Sequence, residues 1–236
     1  RTDSGYLSGS LWQNRLGFGR RDWMILRAAA SSDVGLRRRE NEDRYALSPH
    51  LGFYLVADGM GGHTAGQVAS ELAAETCLRA IQTLEGATTS LAEKLRYAVA
   101  AANRTIYSQA QEHEEYAGMG TTLVAFLADE ERAALAHVGD SRAYLIRGSR
   151  IRQLTDDHSI VGELLRRREI SEDAAREHPH RHVLTRALGV RRSVEPDLVE
   201  LALEPGDTFV LCSDGLTNHV EDHEIAKRVA GSGDLQ

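Results

Sequence analysis

Three apolar stretches of this chain each run into an aspartate that stands beside a small residue. Gly52-Phe-Tyr-Leu-Val-Ala leads to Asp58-Gly59, Leu135-Ala-His-Val-Gly139 to Asp140-Ser141, and Phe209-Val-Leu-Cys-Ser213 to Asp214-Gly215. A polar loop adds a further acid pair in Asn41-Glu42-Asp43. For any one of these sites the plain alternative is a turn-forming aspartate, since Asp-Gly is a common turn dipeptide. Three recurrences plus an acid pair favour a shared purpose, because gathering carboxylates away from water is costly unless cations neutralise them. Aspartates with few histidines and no cysteine in ligand spacing suit Mg²⁺ or Mn²⁺ better than Zn²⁺. Two such ions about 3.5–4 Å apart can share a hydroxide and clamp an in-line displacement at phosphorus. The chemistry implied is that of a binuclear phosphohydrolase.

The elements that must carry these acids can be read from periodicity. Tyr45 to Leu47 and Gly52 to Ala57 read as strands joined by a turn at Pro49-His50. The glycines Gly59, Gly61 and Gly62 keep large side chains away from the mouth of the sheet, so that backbone carbonyls lie open there. A helix then opens at Thr64, with Gln67 in capping-box spacing. Small or apolar residues at Ala65, Val68, Ala69, Leu72, Ala73, Cys77, Ala80, Ile81 and Leu84 form its stripe. A second helix begins at Ser90 with Glu93 as another capping box, and Leu91, Leu95, Ala98, Val99, Ala102 and Ile106 mark its face. Trp23 to Ala30 reads as a first strand. Thr121 to Leu127, Arg132 to Val138, Ala143 to Arg147 and Arg150 to Leu154 read as a hairpin meander, which implies antiparallel pairing. Short helical pieces (Ile160 to Arg168, Ser171 to Glu177) interrupt it. Strands at Val194 to Leu203 and Thr208 to Ser213 precede a last helix from Asp222 to Val229. Helices and strands segregate, so the expected class is α+β, with helices layered on antiparallel sheets.

The chain has 236 residues and a net charge of −7, with 42% hydrophobic and 27% charged residues. That is room for one large domain with a sizeable core. The acidic balance argues against nucleic acid as the main partner. No run approaches the roughly 20 apolar residues of a membrane helix. The polar, glycine-rich opening from Arg1 to Arg21 shows no signal-peptide pattern. Residues 1 to 22 lack periodicity and are expected to be an N-terminal extension or an expression remnant. Cys77 and Cys212 both fall in core patterns, and a reducing, cytoplasmic setting is the simpler reading.

The acids do not stand alone. Ser32-Asp-Val-Gly-Leu-Arg-Arg-Arg-Glu-Asn-Glu-Asp43, Val56-Ala-Asp-Gly-Met-Gly-Gly-His63, Gly118-Met-Gly-Thr-Thr122, Val138-Gly-Asp-Ser-Arg142, Leu154-Thr-Asp-Asp-His-Ser159, Leu184-Thr-Arg-Ala-Leu-Gly189 and Cys212-Ser-Asp-Gly-Leu216 follow one another in that order. Together they resemble the metal-dependent serine/threonine protein phosphatases of type 2C (the PPM family) in their compact bacterial form. Each motif is weak by itself, and the ordered series over residues 32 to 216 is a strong match.

The resemblance implies two antiparallel β-sheets sandwiched between layers of antiparallel helices, with a flap subdomain at about 156–189. It implies hydrolysis of phosphoserine and phosphothreonine by a hydroxide bridging two Mn²⁺ or Mg²⁺ ions, with no phosphoenzyme. Asp58 matches the carboxylate that bridges the metals, and the carbonyl of Gly59 a second ligand at one of them. Asp214 matches a ligand of the other metal. Glu42 and Asp43 match acids beside the pair, which orient metal-bound water or coordinate directly. Asp140 resembles the ligand of a third, weaker metal, shared with Asp214. Arg38 matches the arginine that grips the substrate phosphate with its planar fork of donors; the alternative for it is a solvated charge among Arg37 to Arg39. His63 is a candidate for the acid that protonates the leaving alkoxide, with a merely structural glycine-loop histidine as the alternative. Animal members carry a histidine two positions after the bridging aspartate, where Met60 stands here.

The flap segment is locally basic. Arg166, Arg167, Arg168, Arg176, Arg181, Arg186, Arg191 and Arg192 suit the steering of anionic phosphopeptides, and Glu163, Glu169, Glu172 and Glu177 leave open a simply balanced, solvated face. The family's Asp-Asn step and last strand find no match after Asp222, so residues 23–236 are expected to be a catalytic domain truncated before that motif and lacking its C-terminal strand. The expected partners are phosphoproteins, substrates of a serine/threonine kinase, met by a monomer. A catalytically silent regulatory or binding domain on the same fold is the alternative; retention of Arg38, Asp43, Asp58, Asp140 and Asp214 speaks for the enzyme.

Overall fold

The computed structural model describes residues 26–35, 40–62 and 64–231. Its first hairpin is formed by β1 (Asp43–Ser48) and β2 (Phe53–Met60), turned by a 3-10 segment at Pro49–Leu51. Pro49 presets the turn, and Gly52 closes it at φ 63°, a left-handed conformation. Two helices follow, α1 (Thr64–Thr83) and α2 (Leu91–Glu112), then the meander β3 (Gly120–Thr121), β4 (Leu123–Ala128), β5 (Arg132–Val138), β6 (Arg142–Arg147) and β7 (Arg150–Gln153). The flap carries α3 (Ile160–Arg166) and α4 (Glu172–Arg176). The chain returns through β8 (Asp197–Ala202) and β9 (Thr208–Cys212) to α5 (Asp214–Thr217) and α6 (Asp222–Gly231).

Among the described residues the strands form two antiparallel sheets. The larger has the order β1-β2-β4-β5-β8, with β3 pairing β2, and the smaller the order β7-β6-β9. Alternation along each strand sorts side chains between faces. Phe53, Leu55, Leu123, Ala125, Leu127, Ala134 and Ala136 meet the small-residue stripes of α1 and α2. On the opposite face Tyr54, Val124, Phe126 and Leu135 pack against Ala143, Leu145, Phe209 and Leu211 of the smaller sheet. That sheet's outer face, with Tyr144, Ile146, Val210 and Cys212, is covered by Leu216 and by Ile225 of α6. The α+β architecture of two stacked antiparallel sheets flanked by helices is therefore as expected. Alanines at Ala69, Ala73, Ala98 and Ala102 let the helix layer approach the large sheet closely.

Three local differences from the sequence reading have physical causes. Leu26 to Ala30 makes no strand ladder, yet Leu26, Ala28 and Ala30 still turn alternate side chains onto the inter-sheet core. The expected strand from Thr121 breaks at Thr122, whose amide bonds back to the carbonyl of Asp58 at 2.9 Å. β2 continues two residues past Asp58 because Gly59 and Met60 pair with Thr121 and Gly120 of β3. The helix starts were legible: Ser90, Ser159 and Ser171 each cap their helix by accepting an amide hydrogen bond three residues on.

Candidate active site

The inward face of each strand changes character at the same end of the sandwich. On β2 the inter-sheet positions run Tyr54, Val56, Asp58; on β1 they run Leu47, Tyr45, Asp43. The same two-residue step takes Phe126 and Val124 on β4 to Thr122, and Ala143 on β6 back to Ser141. On β9 it takes Phe209 and Leu211 to Ser213. Apolar residues thus fill the space between the sheets, and the same rows end in carboxylates and hydroxyls at the rim of an open cleft of about 2650 Å³. Glu42, Asp43, Asp58, Gly59, Asp140 and Asp214 all line that cleft.

Asp43 and Asp58 are register partners in the antiparallel pair, so two carboxylates stand directly opposite each other on one face. Like charges in that relation are destabilising unless something positive lies between or beside them. Each is held in place. Asp43 accepts a 2.7 Å hydrogen bond from the hydroxyl of Ser213, which ties it to the second sheet, and its amide donates to Asn41 Oδ1 at 3.0 Å. The amide of Asp58 donates to Thr122 Oγ1 at 2.9 Å, and its carbonyl accepts from both the Thr122 amide and the Thr121 hydroxyl at 2.9 Å.

Glu42 is held between the end of β2 and the first two turns of α1. Its carbonyl accepts from the Gly59 amide at 3.1 Å and from the Ser70 hydroxyl at 2.5 Å. Its carboxylate lies over Gly66, where an added Cβ would stand 2.4 Å from Glu42 Oε1. Gly59 itself touches the helix, since a Cβ there would fall 1.9 Å from the carbonyl oxygen of Gly66. The glycine after Asp58 is thus required by the crossing of β2 under α1.

Asp140 lies in the β5–β6 loop. Its carboxyl is pushed up to about 7, by burial first and then by the negative charges of Asp214 and Asp157. A buried carboxyl facing another carboxylate is what a hard cation would relieve. Asp214 opens α5, and its Oδ2 accepts from Asn218 Nδ2 at 3.0 Å. Asp157 is engaged by Arg142, whose Nε and Nη2 reach its two oxygens at 2.9 and 2.7 Å. His158 braces the loop from behind: its Nδ1 accepts from the Gly139 amide at 3.1 Å, so Nε2 carries the proton directed at Asp197 Oδ2, 3.1 Å away. Asp157 and His158 therefore hold the flap root to the Asp140 loop.

Glu42, Asp43, Asp58, Gly59, Asp140 and Asp214 all line one cleft. Arg38 and His63 lie outside the described residues. Among the described residues no three acids, histidines or cysteines converge on a single point. The acids stand instead as two neighbouring pairs, Asp43 with Asp58 and Asp140 with Asp214. Oxygen-only donors in pairs fit Mg²⁺ or Mn²⁺, which keep several waters and take one or two carboxylates from a protein. The sequence reading gave no role to Thr121, Thr122, Ser141, Ser213, Gly66 or Ser70. The signal for Thr122, Ser141 and Ser213 was present, two positions beyond the last inward apolar residue of each strand.

The protein phosphatase 2C family model matches residues 37–232. The chain belongs to the protein phosphatase 2C family. A serine/threonine phosphatase, stp, of Listeria welshimeri is 42% identical over 209 residues, covering 85% of this chain and 81% of the relative. The crystal structure of the Mycobacterium tuberculosis serine/threonine phosphatase PstP/Ppp superposes with a TM-score of 0.78 at 40% identity, covering 86% of this chain and 85% of that one. The PstP catalytic domain in complex with two manganese ions gives a TM-score of 0.73 at 36% identity, over 86% of this chain and 88% of that one. In this 2C-type chain the acids at the strand ends all fall within the span that the family model matches.

Proposed function

We infer that this chain is a divalent-cation-dependent phosphatase acting on phosphoserine and phosphothreonine in proteins. The observation that carries the reading is the Asp43–Asp58 pair, two carboxylates opposed on one face at the mouth of the cleft. In this reading Asp58 and the Gly59 carbonyl would help to hold one Mn²⁺ or Mg²⁺ ion, and Asp58 and Asp214 a second. Asp140, beside Asp214, serves a third, weaker site. Bound there, such cations supply a water of lowered pKa and neutralise phosphate oxygens.

The chain's own residues do the rest. Ser213 orients Asp43, Thr122 fixes the end of β2, and α1 sets the Glu42 carboxylate beside the Asp58–Gly59 backbone. Arg142 offsets the charge of Asp157 next to Asp140. Arg38 is assigned to the substrate phosphate and His63 to the leaving alkoxide. The catalytic domain is taken as residues 23–236 with its flap at 156–189. Its substrates are assigned to a serine/threonine kinase, and its setting to the cytoplasm as a monomer. No helix among the described residues is long and apolar enough to cross a membrane.

The test is release of phosphate from a phosphothreonine peptide and from p-nitrophenyl phosphate, with Mn²⁺ and with a chelator. Turnover of both that requires Mn²⁺ is expected. A protein inactive on both in Mn²⁺ and in Mg²⁺ leaves only the silent binding domain.

A further inference from the structure

In sequence Glu163, Glu169, Glu172 and Glu177 are interspersed with the flap arginines, but the fold keeps three of the four glutamates away from the cleft. Arg166, Arg176, Arg181, Arg186 and Arg191 line the cleft together with Glu172, whereas Glu163, Glu169 and Glu177 do not. Two of the five arginines are committed within the protein. Arg176 pairs with Glu221, with its Nη2 at 3.1 Å from Oε2, and Arg186 pairs with Asp197. Arg166, Arg181 and Arg191 are exposed, and among the described residues no carboxylate lies within ion-pair distance of them. The flap acid Glu163 is instead 3.8 Å from Arg167, which does not line the cleft.

The position of these charges matters as much as their number. The Cγ2 of Val190 and the Cε of Met60 both crowd Gly120, at 3.0 and 3.3 Å from where its Cβ would stand. Arg191 therefore follows a residue seated against Gly120 of β3, the register partner of Met60 at the end of β2. Arg181 comes two residues before Val183, whose carbonyl accepts the Ile160 amide at 2.9 Å at the start of α3. Val183 and Val190 are themselves exposed and face the cleft, so this wall alternates guanidinium and apolar surface. In a chain of net charge −7, three exposed arginines without an ion-pair partner among the described residues bring positive charge to the cleft that the site acids line.

We propose that the flap wall formed by Arg166, Arg181 and Arg191 selects phosphoserine and phosphothreonine substrates whose neighbouring residues are acidic. The proposal rests on the phosphatase reading above and adds the chemistry of the residues flanking the phosphate. Exposed charges of this kind act on encounter rate and are screened by salt, so the preference is expected in kcat/KM and at low ionic strength.

The test uses three phosphothreonine peptides of equal length with aspartate, serine or lysine on both sides of the phosphoresidue, assayed with Mn²⁺ at low and at high salt. At low salt the aspartate peptide should exceed the serine peptide in kcat/KM by roughly tenfold, with the lysine peptide lowest. The ratio should shrink at high salt, and should vanish or invert in the Arg181→Glu, Arg191→Glu double variant. Equal kcat/KM for the three peptides, or an unchanged ratio in the variant, overturns the proposal and leaves the phosphatase reading intact. Absence of turnover with every peptide overturns the phosphatase reading. Fluorescence anisotropy of labelled peptides then decides the flap proposal by binding alone: tighter binding of the aspartate peptide upholds it, and equal binding overturns it.

Discussion

The hydroxyls of Thr122 and Ser141 lie 2.7 Å apart, and that one contact joins the strand end bearing Asp58 to the loop bearing Asp140. Thr122 is 3% exposed and Ser141 0%, so neither has water as a substitute partner. Thr122 also accepts the Asp58 amide and packs under Gly139, where a Cβ would stand 2.7 Å from the threonine side chain. Gly139 meets this with φ 108°, a conformation open to glycine.

Thr122→Val keeps the shape and removes the acceptor, leaving a buried amide and a buried hydroxyl unpaired. The cost expected is about 1–3 kcal/mol, or a melting point lower by roughly 2–12 °C for a domain of this size. Because the same group spaces Asp58 from Asp140, Mn²⁺ affinity should fall as well. Thr122→Ser should restore most of both. Thermal melts with a Mn²⁺ titration of each variant check this, and a valine variant with unchanged Mn²⁺ affinity contradicts the spacing role.

Glycine to alanine inside a helix ordinarily stabilises by roughly 1 kcal/mol. At Gly66 that gain is expected to be cancelled, because the new methyl would sit 2.4 Å from Glu42 Oε1 and 3.0 Å from the carbonyl carbon of Gly59. That oxygen belongs to a movable side chain, so stability should change by less than about 1 kcal/mol while activity falls, by about tenfold or more if Glu42 is displaced. Gly59→Ala meets a backbone carbonyl at 1.9 Å and should cost several times more stability, at least about 3 kcal/mol. Denaturant unfolding of both variants, with phosphatase assays, separates the two effects.

His137 is 1% exposed, stacks on His158 with centroids 4.5 Å apart, and has no hydrogen-bond partner for either ring nitrogen among the described residues. Burial, then the neighbouring His158, lowers its pKa to about 3; Asp197 acts in the opposite sense and Arg186 in the same one. The unfolded chain binds a proton at this histidine near pH 6.5 and the folded chain does not. Stability is therefore full above about pH 6.5 and is lost as pH falls, by up to about 1.4 kcal/mol per pH unit from this group. His137→Leu should flatten that slope and raise stability at pH 7 by about 1 kcal/mol. Urea titrations at pH 5 and pH 7.5 on both proteins read the difference directly.

The two long helices and the acids at the strand ends were legible because their signals are local. Apolar residues at helical spacing, and an aspartate closing an apolar run, need no partner to be recognised. The groups that fix those acids depend on distant chain. Ser213 reaches Asp43 across 170 residues of sequence, and Gly66 matters because Glu42 and Gly59 cross it. The balance of charge on the flap was likewise undecidable from composition. Glu163 and Arg167 are a helical i, i+4 pair turned away from the cleft, while Arg181 and Arg191 stand in loops facing it. The span from Leu26 to Ala30 alternates like a strand and packs like one, and lacks only a ladder neighbour among the described residues.

The central claim is that Asp58, opposed by Asp43, holds divalent cations that the activity requires. Calorimetric titration of metal-free protein with Mn²⁺, run beside the same titration of Asp58→Asn, tests it most directly. The account predicts at least two Mn²⁺ bound per wild-type chain. In the variant it predicts loss of the tight sites and a rate on p-nitrophenyl phosphate lower by about 10²-fold or more. Equal Mn²⁺ binding by both proteins, with Asp58→Asn no slower than wild type, would contradict it.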